Sequence, residues 1–137
     1  MNDLQNAINQ NIPEILRNSK TIAIVGLSNK PDRTSYRVGA YIKQAGYHII
    51  PVNPNYDTVM ELKCHSNLTE IPEPVDIVNI FRKSEDVLPV VKEAIKIKAK
   101  VVWMQLGIEN EEAAQLALDA GLKVIMNRCI KIEHSML

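Results

Sequence analysis

The sequence has few aromatic residues and no net charge, and both shortages argue against nucleic-acid binding. Its 137 residues include one Trp, one Phe and four Tyr, too few for the stacking surfaces that bind single-stranded nucleic acids. Lys and Arg together number 16, and so do Asp and Glu, so the chain lacks the positive field on which non-specific nucleic-acid binding depends. We therefore expect no nucleic-acid partner.

Long apolar runs and clustered cysteines are missing too. No stretch reaches the roughly 18 apolar residues of a membrane span, and the first residues lack the basic start and apolar run of a secretory signal. Cys64 and Cys129 lie far apart without a Cys-x-x-Cys spacing, which predicts reduced thiols and neither a disulfide framework nor a zinc site. We expect a cytoplasmic protein with no membrane partner and no bound metal.

Short apolar, β-branched runs alternate along the chain with stretches of helical period. The runs predict strands over 21–26, 48–52, 75–80, 100–104 and 123–126, and apolar spacing of i, i+3, i+4 and i+7 predicts helices around 38–45, 87–95 and 113–120. Strands that are apolar throughout are typical of a parallel sheet buried on both faces. We predict an α/β fold with a doubly wound parallel sheet of about five strands and helices on both faces.

The whole chain is long enough for one hydrophobic core. We assign residues 1–20 to an N-terminal helical cap interrupted at Pro13, and residues 21–137 to a single domain. Residues 54–74 are less regular and predict a crossing between the sheet halves with one short helix at most. The terminal segment 130–137 contains Glu133 and His134 but no third residue to orient them, so we expect it to face solvent or another subunit.

The loop after the first predicted strand has features of a phosphate site. In open sheets of this kind, ligands bind beyond the carboxyl ends of the strands where the strand order reverses. The loop begins with Gly26, at a point where a sharp turn needs a glycine, and continues through Leu27 and Ser28. Ser28 replaces the second glycine of the G-x-G-x-x-G pattern and the third is absent, so the loop alone is a weak indication of nucleotide binding.

The helix after this loop begins without an acidic residue. Thr34 and Ser35 open the helix and Arg33 precedes them, whereas the helices after Arg82 and after Gly107 begin with Asp or Glu. The free amides and the dipole at a helix start favour an anion, so we predict that a ligand phosphate takes this position. The alternative is that Thr34 or Ser35 caps the helix and the arginine is solvated.

Further candidate residues follow the other strands. Asn53 and Pro54 end the second strand, where an NAD site normally places Asp or Glu on the ribose. The neutral Asn53 tolerates a phosphorylated ribose, which favours coenzyme A or NADP over NAD; the alternative is an Asn-Pro turn that holds its own backbone. The third and fourth strands are followed by Phe81, Arg82, Gln105 and Gly107. Arg82 adds positive charge and Gly107 permits close approach, whereas core packing is the alternative role of Phe81.

Four motifs carry a resemblance to a known family: Val25-Gly26-Leu27-Ser28, Ser35-Tyr36-Arg37-Val38, Pro51-Val52-Asn53-Pro54 and Trp103-Met104-Gln105-Leu106-Gly107. With them the chain resembles the small stand-alone CoA-binding proteins, a Rossmann-like family related to the nucleotide-binding domain of the succinyl-CoA synthetase alpha subunit. The resemblance implies that coenzyme A or an acyl-CoA lays its phosphates over residues 26–35. It also implies that Asn53, Pro54, Phe81, Arg82 and Gln105 flank the adenosine and the pantetheine.

The resemblance has limits that shape the expected function. Related sequences usually carry glycines within 57–63, and an aspartate is common where this chain has Asn127. The CoA ligases use such a domain with a phosphorylatable histidine and an ATP-grasp partner, so we expect a non-catalytic binding or regulatory module. An NAD(P)-binding oxidoreductase, or an accessory subunit with a decayed pocket, remains the alternative. A homo-oligomer or an unidentified protein partner also remains open.

Overall fold

Strands and helices alternate throughout residues 3–137, which the computed structural model describes. The strands are β1 Thr21–Val25, β2 His48–Val52, β3 Thr58–Val59, β4 Leu62–Lys63, β5 Ile77–Ile80, β6 Val101–Met104 and β7 Lys123–Met126. The helices are α1 Asp3–Ala7, α2 Ile12–Asn18, α3 Thr34–Gln44, α4 Val87–Lys96, α5 Glu111–Asp119 and α6 Ile130–Ser135. Each predicted long strand and helix is present, with ends that differ by a few residues.

The long strands form one parallel sheet in the order β2-β1-β5-β6-β7. The chain moves outward from β1 to β2 and then returns to the other side of β1, so the strand order reverses between β1 and β5. Val25 of β1 lies level with Val52 of β2 and Ile80 of β5. The residues that follow these strands therefore meet at one edge, beside the reversal where ligands bind in such sheets.

Both faces of the sheet are covered by helices, which confirms the predicted doubly wound α/β class. Side chains of successive strand residues point to opposite faces, and each face has its own apolar cluster. One cluster joins the sheet to α2, α3 and α6 through residues such as Ile15, Ile22, Ile42, Trp103 and Ile130. The other joins it to α1, α4 and α5 through residues such as Leu4, Val78, Val91, Val102 and Ala117. The N-terminal segment thus contributes a helix to each layer.

The link between α1 and α2 runs along the outer edge of β7. Asn9 has a positive φ of 58°, and its amide donates to the Val124 carbonyl at 2.9 Å. Its side-chain oxygen accepts from the Met126 amide at 2.7 Å. Pro13 lies in the first turn of α2, where its missing N–H costs nothing. The predicted interruption at Pro13 is therefore a helix restart.

Asp76, just before β5, ties the amino ends of the strands together. Its carboxylate accepts from the Lys20 amide at 2.8 Å and the Thr21 amide at 3.1 Å, and lies 3.3 Å from Lys100 Nζ. Burial by itself raises the pKa of Asp76, but these hydrogen bonds and the lysine charge outweigh burial and hold the pKa below its ordinary value of 3.8. The ionised carboxylate therefore stabilises the folded state.

Residues 54–74 contain more structure than the sequence predicted. They include the single short helical turn that was expected, a 3₁₀ turn at Leu68–Glu70, and in addition the antiparallel hairpin β3–β4. The two residues of the hairpin turn, Met60 and Glu61, have positive φ angles of 55° and 65°. Turns of this kind favour Asn and Gly, which the sequence does not supply here.

The terminal segment forms a helix whose first residue is buried, while most of its other residues face solvent as the sequence predicted. Residues 130–135 form α6, which packs against α2 and α3, and Ile130 is fully buried. The His134 ring lies edge-on to Tyr41 and Tyr47, and its Nδ1 is 2.9 Å from the Tyr41 hydroxyl. Ile130 and His134 thus attach the segment to the core, whereas Ile132, Met136 and Leu137 are exposed.

Candidate functional site

Gly26 draws the ends of three strands together at the reversal point. Its φ is +87°, and a Cβ atom at this position would lie 2.2 Å from the Phe81 carbonyl oxygen. The Gly26 amide donates to the Val52 carbonyl and the Phe81 amide donates to the Val25 carbonyl, each at 2.8 Å. Glycine is thus needed for both its backbone angle and its small size.

The start of α3 has free amides and no acidic neighbour in its first turn. Arg33 is the residue before the helix, and no side chain caps the first turn. The first turn of a helix has no intrahelical acceptors for its N–H groups, here those of Thr34, Ser35 and Tyr36. Its partial positive charge favours an anion. Neither Thr34 nor Ser35 therefore caps the helix, and the alternative prediction of such a cap is wrong.

The hydroxyl groups of the loop shape its backbone instead. Ser35 Oγ accepts from the Ser28 amide at 3.0 Å, across the mouth of the loop. Ser28 Oγ accepts from the Lys30 amide, also at 3.0 Å. Arg37 Nη1 donates to the Asp32 carbonyl at 2.8 Å, which ties the loop to the helix. These contacts hold the loop in a fixed shape around the helix start.

A groove of about 380 Å³ lies between this loop and the end of β5. Six predicted site residues line it: Gly26, Ser28, Arg33, Thr34, Ser35 and Phe81. Two others were not predicted, Lys30 and Tyr56. Lys30 and Arg33 are exposed cations, and no acidic side chain lines the groove within the described residues. Two cations beside free helix amides form a setting suited to a phosphate group.

Lys30 and Tyr56 differ in how far the sequence could have indicated them. Lys30 is a cation inside the loop already predicted to bind phosphate, so its charge was a usable signal. Tyr56 reaches the groove because Asn53 turns the chain: the Asn55 amide donates to Asn53 Oδ1 at 3.0 Å. The turn itself is local, but its position beside the loop depends on the pairing of β2 with β1, so the residues around Tyr56 give no signal of the groove.

Asn53 serves the backbone, as in the Asn-Pro turn kept as the alternative. Its Nδ2 donates to the Leu27 carbonyl at 3.2 Å, while its Oδ1 is occupied by the Asn55 amide. Neither Asn53 nor the exposed Pro54 lines the groove. Asn53 thus holds the loop after β1 in place through its bond to Leu27.

Two further predicted residues have their side chains in the core. Leu27 is fully buried and Val38 is 3% exposed. Leu27 packs against α3 at Gly39, where an added Cβ would lie 2.9 Å from Leu27 Cδ1. These side chains fix the loop to the helix and do not face the groove.

The remaining predicted residues lie along the same carboxyl edge of the sheet, but outside the groove. Arg82 is exposed next to Phe81. Gly107 has a φ of +87°, and its amide donates to Asn127 Oδ1 at 2.7 Å. Gln105 is 4% exposed at the end of β6. Phe81 itself is half-buried, lining the groove while packing on the core.

The cysteines add no disulfide and no metal site in the described chain. Cys64 and Cys129 are free thiols. Burial raises the pKa of Cys64, whose thiol donates to the Asn53 carbonyl at 3.4 Å. Within residues 3–137, no group of three or more His, Cys, Asp or Glu side chains is placed to hold a metal ion. None of the described helices is long and apolar enough to cross a membrane.

Known proteins share this fold and sequence over most of the chain. The family model described as the CoA binding domain matches residues 20–135. The Bacillus subtilis protein YneT is 48% identical over 132 residues, which cover 96% of this chain and 98% of YneT. A solved structure of a protein from Pyrococcus horikoshii OT3 has a TM-score of 0.91 at 41% identity and covers 93% of this chain and 90% of that one.

Larger enzymes contain a similar domain. The ADP-forming acetate–CoA ligase II of Archaeoglobus fulgidus is 33% identical over 101 residues, which cover 70% of this chain but 15% of the ligase. The similarity therefore concerns one part of the ligase and not its whole reaction. Since the family model spans nearly the entire sequence and the fold agrees with it, the chain belongs to the CoA binding domain family.

Proposed function

We propose that the protein binds coenzyme A or an acyl-CoA, with the phosphates in the groove at the start of α3. One observation carries the proposal: the only lining charges of the groove in the described chain are the cations Lys30 and Arg33, beside the uncapped first turn of α3. Family membership supports a CoA ligand. In this proposal Thr34 and Ser35 bind phosphate oxygens through their amides and Arg33 through its guanidinium, while the Ser28 amide holds the shape of the loop through its bond to Ser35 Oγ.

The end of β2 supports a CoA ligand over NAD. A site for NAD normally has a carboxylate there to bind the ribose hydroxyl groups. This chain has Asn53, whose amide group is already bonded to the Leu27 carbonyl and the Asn55 amide. A neutral residue does not repel the 3′-phosphate of CoA, whereas a carboxylate would.

The chemistry of the groove supports a binding or regulatory module and not an enzyme. Its described lining has hydroxyl groups, one lysine and one tyrosine but no carboxylate, imidazole or thiol, so no acid–base partner of these kinds stands beside the hydroxyl groups to activate them. The loop hydroxyl groups of Ser28 and Ser35 accept hydrogen bonds from backbone amides. We also propose that the protein resides in the cytoplasm, where its free thiols would stay reduced.

Calorimetric titration of the purified protein with CoA, dephospho-CoA, NAD and NADP tests the proposal. We expect CoA to bind in the micromolar range or tighter, and dephospho-CoA to bind more weakly because it lacks the 3′-phosphate. Arg33→Ala is expected to weaken CoA binding by about 1.5–3 kcal/mol, or roughly 10- to 150-fold, as for the loss of a charged hydrogen bond.

Arg17→Ala is the matched control, since Arg17 is an exposed arginine on α2 that does not line the groove. Its CoA affinity should equal that of the wild-type protein. Binding of NAD or NADP without CoA would favour the oxidoreductase alternative. Equal CoA affinity in Arg33→Ala and the wild-type protein would reject the phosphate site.

A further inference from the structure

A second groove, of about 490 Å³, lies at the amino edge of the sheet, opposite the edge that carries the phosphate groove. This amino-edge groove runs from α2 across the starts of β6 and β7 to the ends of α4 and α5, so both helix layers contribute to it. Its volume lies in the range of small-molecule sites. Its walls include four aliphatic side chains that are almost completely buried: Ile15, Ala99, Val101 and Leu122.

The charges that line the amino-edge groove are unbalanced. Three lysines, Lys98, Lys100 and Lys123, stand against one acid, Glu14, although the whole chain has as many acidic as basic residues. Lys100 Nζ lies 3.3 Å from the Asp76 carboxylate. Within residues 3–137, neither Lys98 nor Lys123 has an ion pair. Two free cations therefore stand beside aliphatic walls.

The backbone at Lys98 shows that this cation is placed at a cost in stability. Helices α4 and α5 end in the same turn, in which two successive amides after the helix donate to its last carbonyls at 2.9–3.0 Å. The left-handed residue of this turn is Gly121 after α5, with a φ of 88°, but Lys98 after α4, with a φ of 60°. Glycine is usual there because a side chain destabilises this conformation.

The common role of lysines near helix ends does not account for Lys98. Such lysines offset the partial negative charge of the last carbonyls, and Lys96 in the last turn of α4 already does so. Lys123 is placed unfavourably too, because its amide donates to the Lys100 carbonyl at 3.0 Å and thus brings two lysines to neighbouring strand starts. Like charges repel at such separations. An anion in the groove would relieve this repulsion.

We propose that the amino-edge groove binds a small organic carboxylate with an aliphatic body. Lys98 and Lys123 donate charge-assisted hydrogen bonds to the carboxylate oxygens, and the aliphatic walls cover the body of the ligand. Inorganic phosphate would leave these walls exposed to water, which is why the ligand needs an apolar part. This inference does not depend on CoA binding, because the phosphate groove lies at the other edge of the sheet.

Titration of the isotope-labelled protein with sodium octanoate, followed through backbone amide chemical shifts, tests the site. We expect saturable shifts at the amides of Ala99, Gly121 and Leu122, which line the groove. Acetate has the charge without the body, and octanamide has the body without the charge. Each should bind about fivefold more weakly than octanoate, or weaker still.

Four variants separate the charge of Lys98 from its effect on the fold. Lys98→Gln should raise the Kd of octanoate about threefold to fivefold. Lys98→Gly should raise it equally while making the protein more resistant to urea, because glycine suits the left-handed turn. Glu14→Gln removes the acid of the groove and should lower the Kd about twofold. Lys96→Gln is the matched control, since Lys96 is exposed on α4 and does not line the groove.

The outcomes separate this inference from the proposed function. Octanoate shifts that are absent, or that centre on residues 26–35 at the phosphate groove, would overturn the amino-edge site. An equal octanoate Kd for Lys98→Gln and the wild-type protein would overturn it too, as would an equal loss in Lys96→Gln. CoA affinity is measured separately, and Lys98→Gln should bind CoA like the wild-type protein. Weaker CoA binding by this variant would contradict two separate sites, whereas failure of the wild-type protein to bind CoA would reject the proposed function alone.

Discussion

Replacing Gly26 with alanine measures how strongly the reversal point depends on close backbone approach. The new Cβ would lie 2.2 Å from the Phe81 carbonyl oxygen, so the ends of β1 and β5 must separate by about 1 Å to restore a normal van der Waals distance. Separation weakens the bonds from the Gly26 amide to Val52 and from the Phe81 amide to Val25. Each such bond contributes about 1 kcal/mol.

The backbone angle adds a second cost that a control can isolate. A non-glycine residue at positive φ costs roughly 1–2 kcal/mol. Gly121 has a φ of +88°, nearly the same as the +87° of Gly26, but an added Cβ there meets nothing within 4 Å. Gly121→Ala should therefore lower the free energy of unfolding by about 1–2 kcal/mol, and Gly26→Ala by about 3–4 kcal/mol.

Urea unfolding, with linear extrapolation to zero denaturant, measures both values. The difference between the two variants is the steric cost alone. Equal destabilisation by the two alanines would refute the reasoning, because it would mean that the strand ends adjust to a methyl group at no cost. We also expect Gly26→Ala to weaken CoA binding, since the groove is built on the same loop.

Other perturbations test separate parts of the structure. Asp76→Asn should lower the free energy of unfolding at pH 7 by about 1–2 kcal/mol. The folded-state pKa of Asp76 lies below its ordinary value of 3.8, so the carboxylate stabilises the folded state above pH 3.8 and loses this effect as the pH falls through the folded-state pKa. Unfolding measured at pH 7 and at pH 2–3 should therefore show the stability of the variant converging on that of the wild-type protein. Replacing Met60 with Asn and Glu61 with Gly relieves the strain of two positive φ angles and should raise the free energy of unfolding, measured in urea, by about 1–2 kcal/mol. No gain would mean that the packing lost with the Met60 side chain offsets the strain relieved in the turn. Ser35→Ala removes the acceptor of the Ser28 amide and should weaken CoA binding roughly threefold to tenfold in calorimetry, with unchanged affinity arguing against a role for loop shape.

The main sheet could be predicted because each long strand is apolar along its whole length. A strand such as Ile77–Ile80 is buried on both faces, and this burial leaves a continuous apolar run in the sequence. The hairpin β3–β4 left no such signal. Its strands have two residues each, and its turn uses Met60 and Glu61 where Asn or Gly would have indicated a hairpin.

The uncapped helix start beside the loop could be predicted from local sequence, whereas the rest of the candidate site could not. The missing acid at the start of α3 is visible in the residues around Thr34. Asn53 and Gln105 are different, because their partners Leu27 and Ile130 are 26 and 25 residues away in the sequence. Which polar side chains face a ligand and which hold the backbone depends on such distant contacts.

The cover that Asn9 gives to β7 has a counterpart at the opposite end of the sheet. There Pro51 of β2 has no N–H to offer, and its carbonyl accepts from the His65 amide at 3.0 Å. An edge strand with free donors and acceptors is a template on which another chain can add a strand. Asn9 and His65 thus take up donors or acceptors at the two margins of the sheet, so another chain could add a strand at either margin only by displacing these residues.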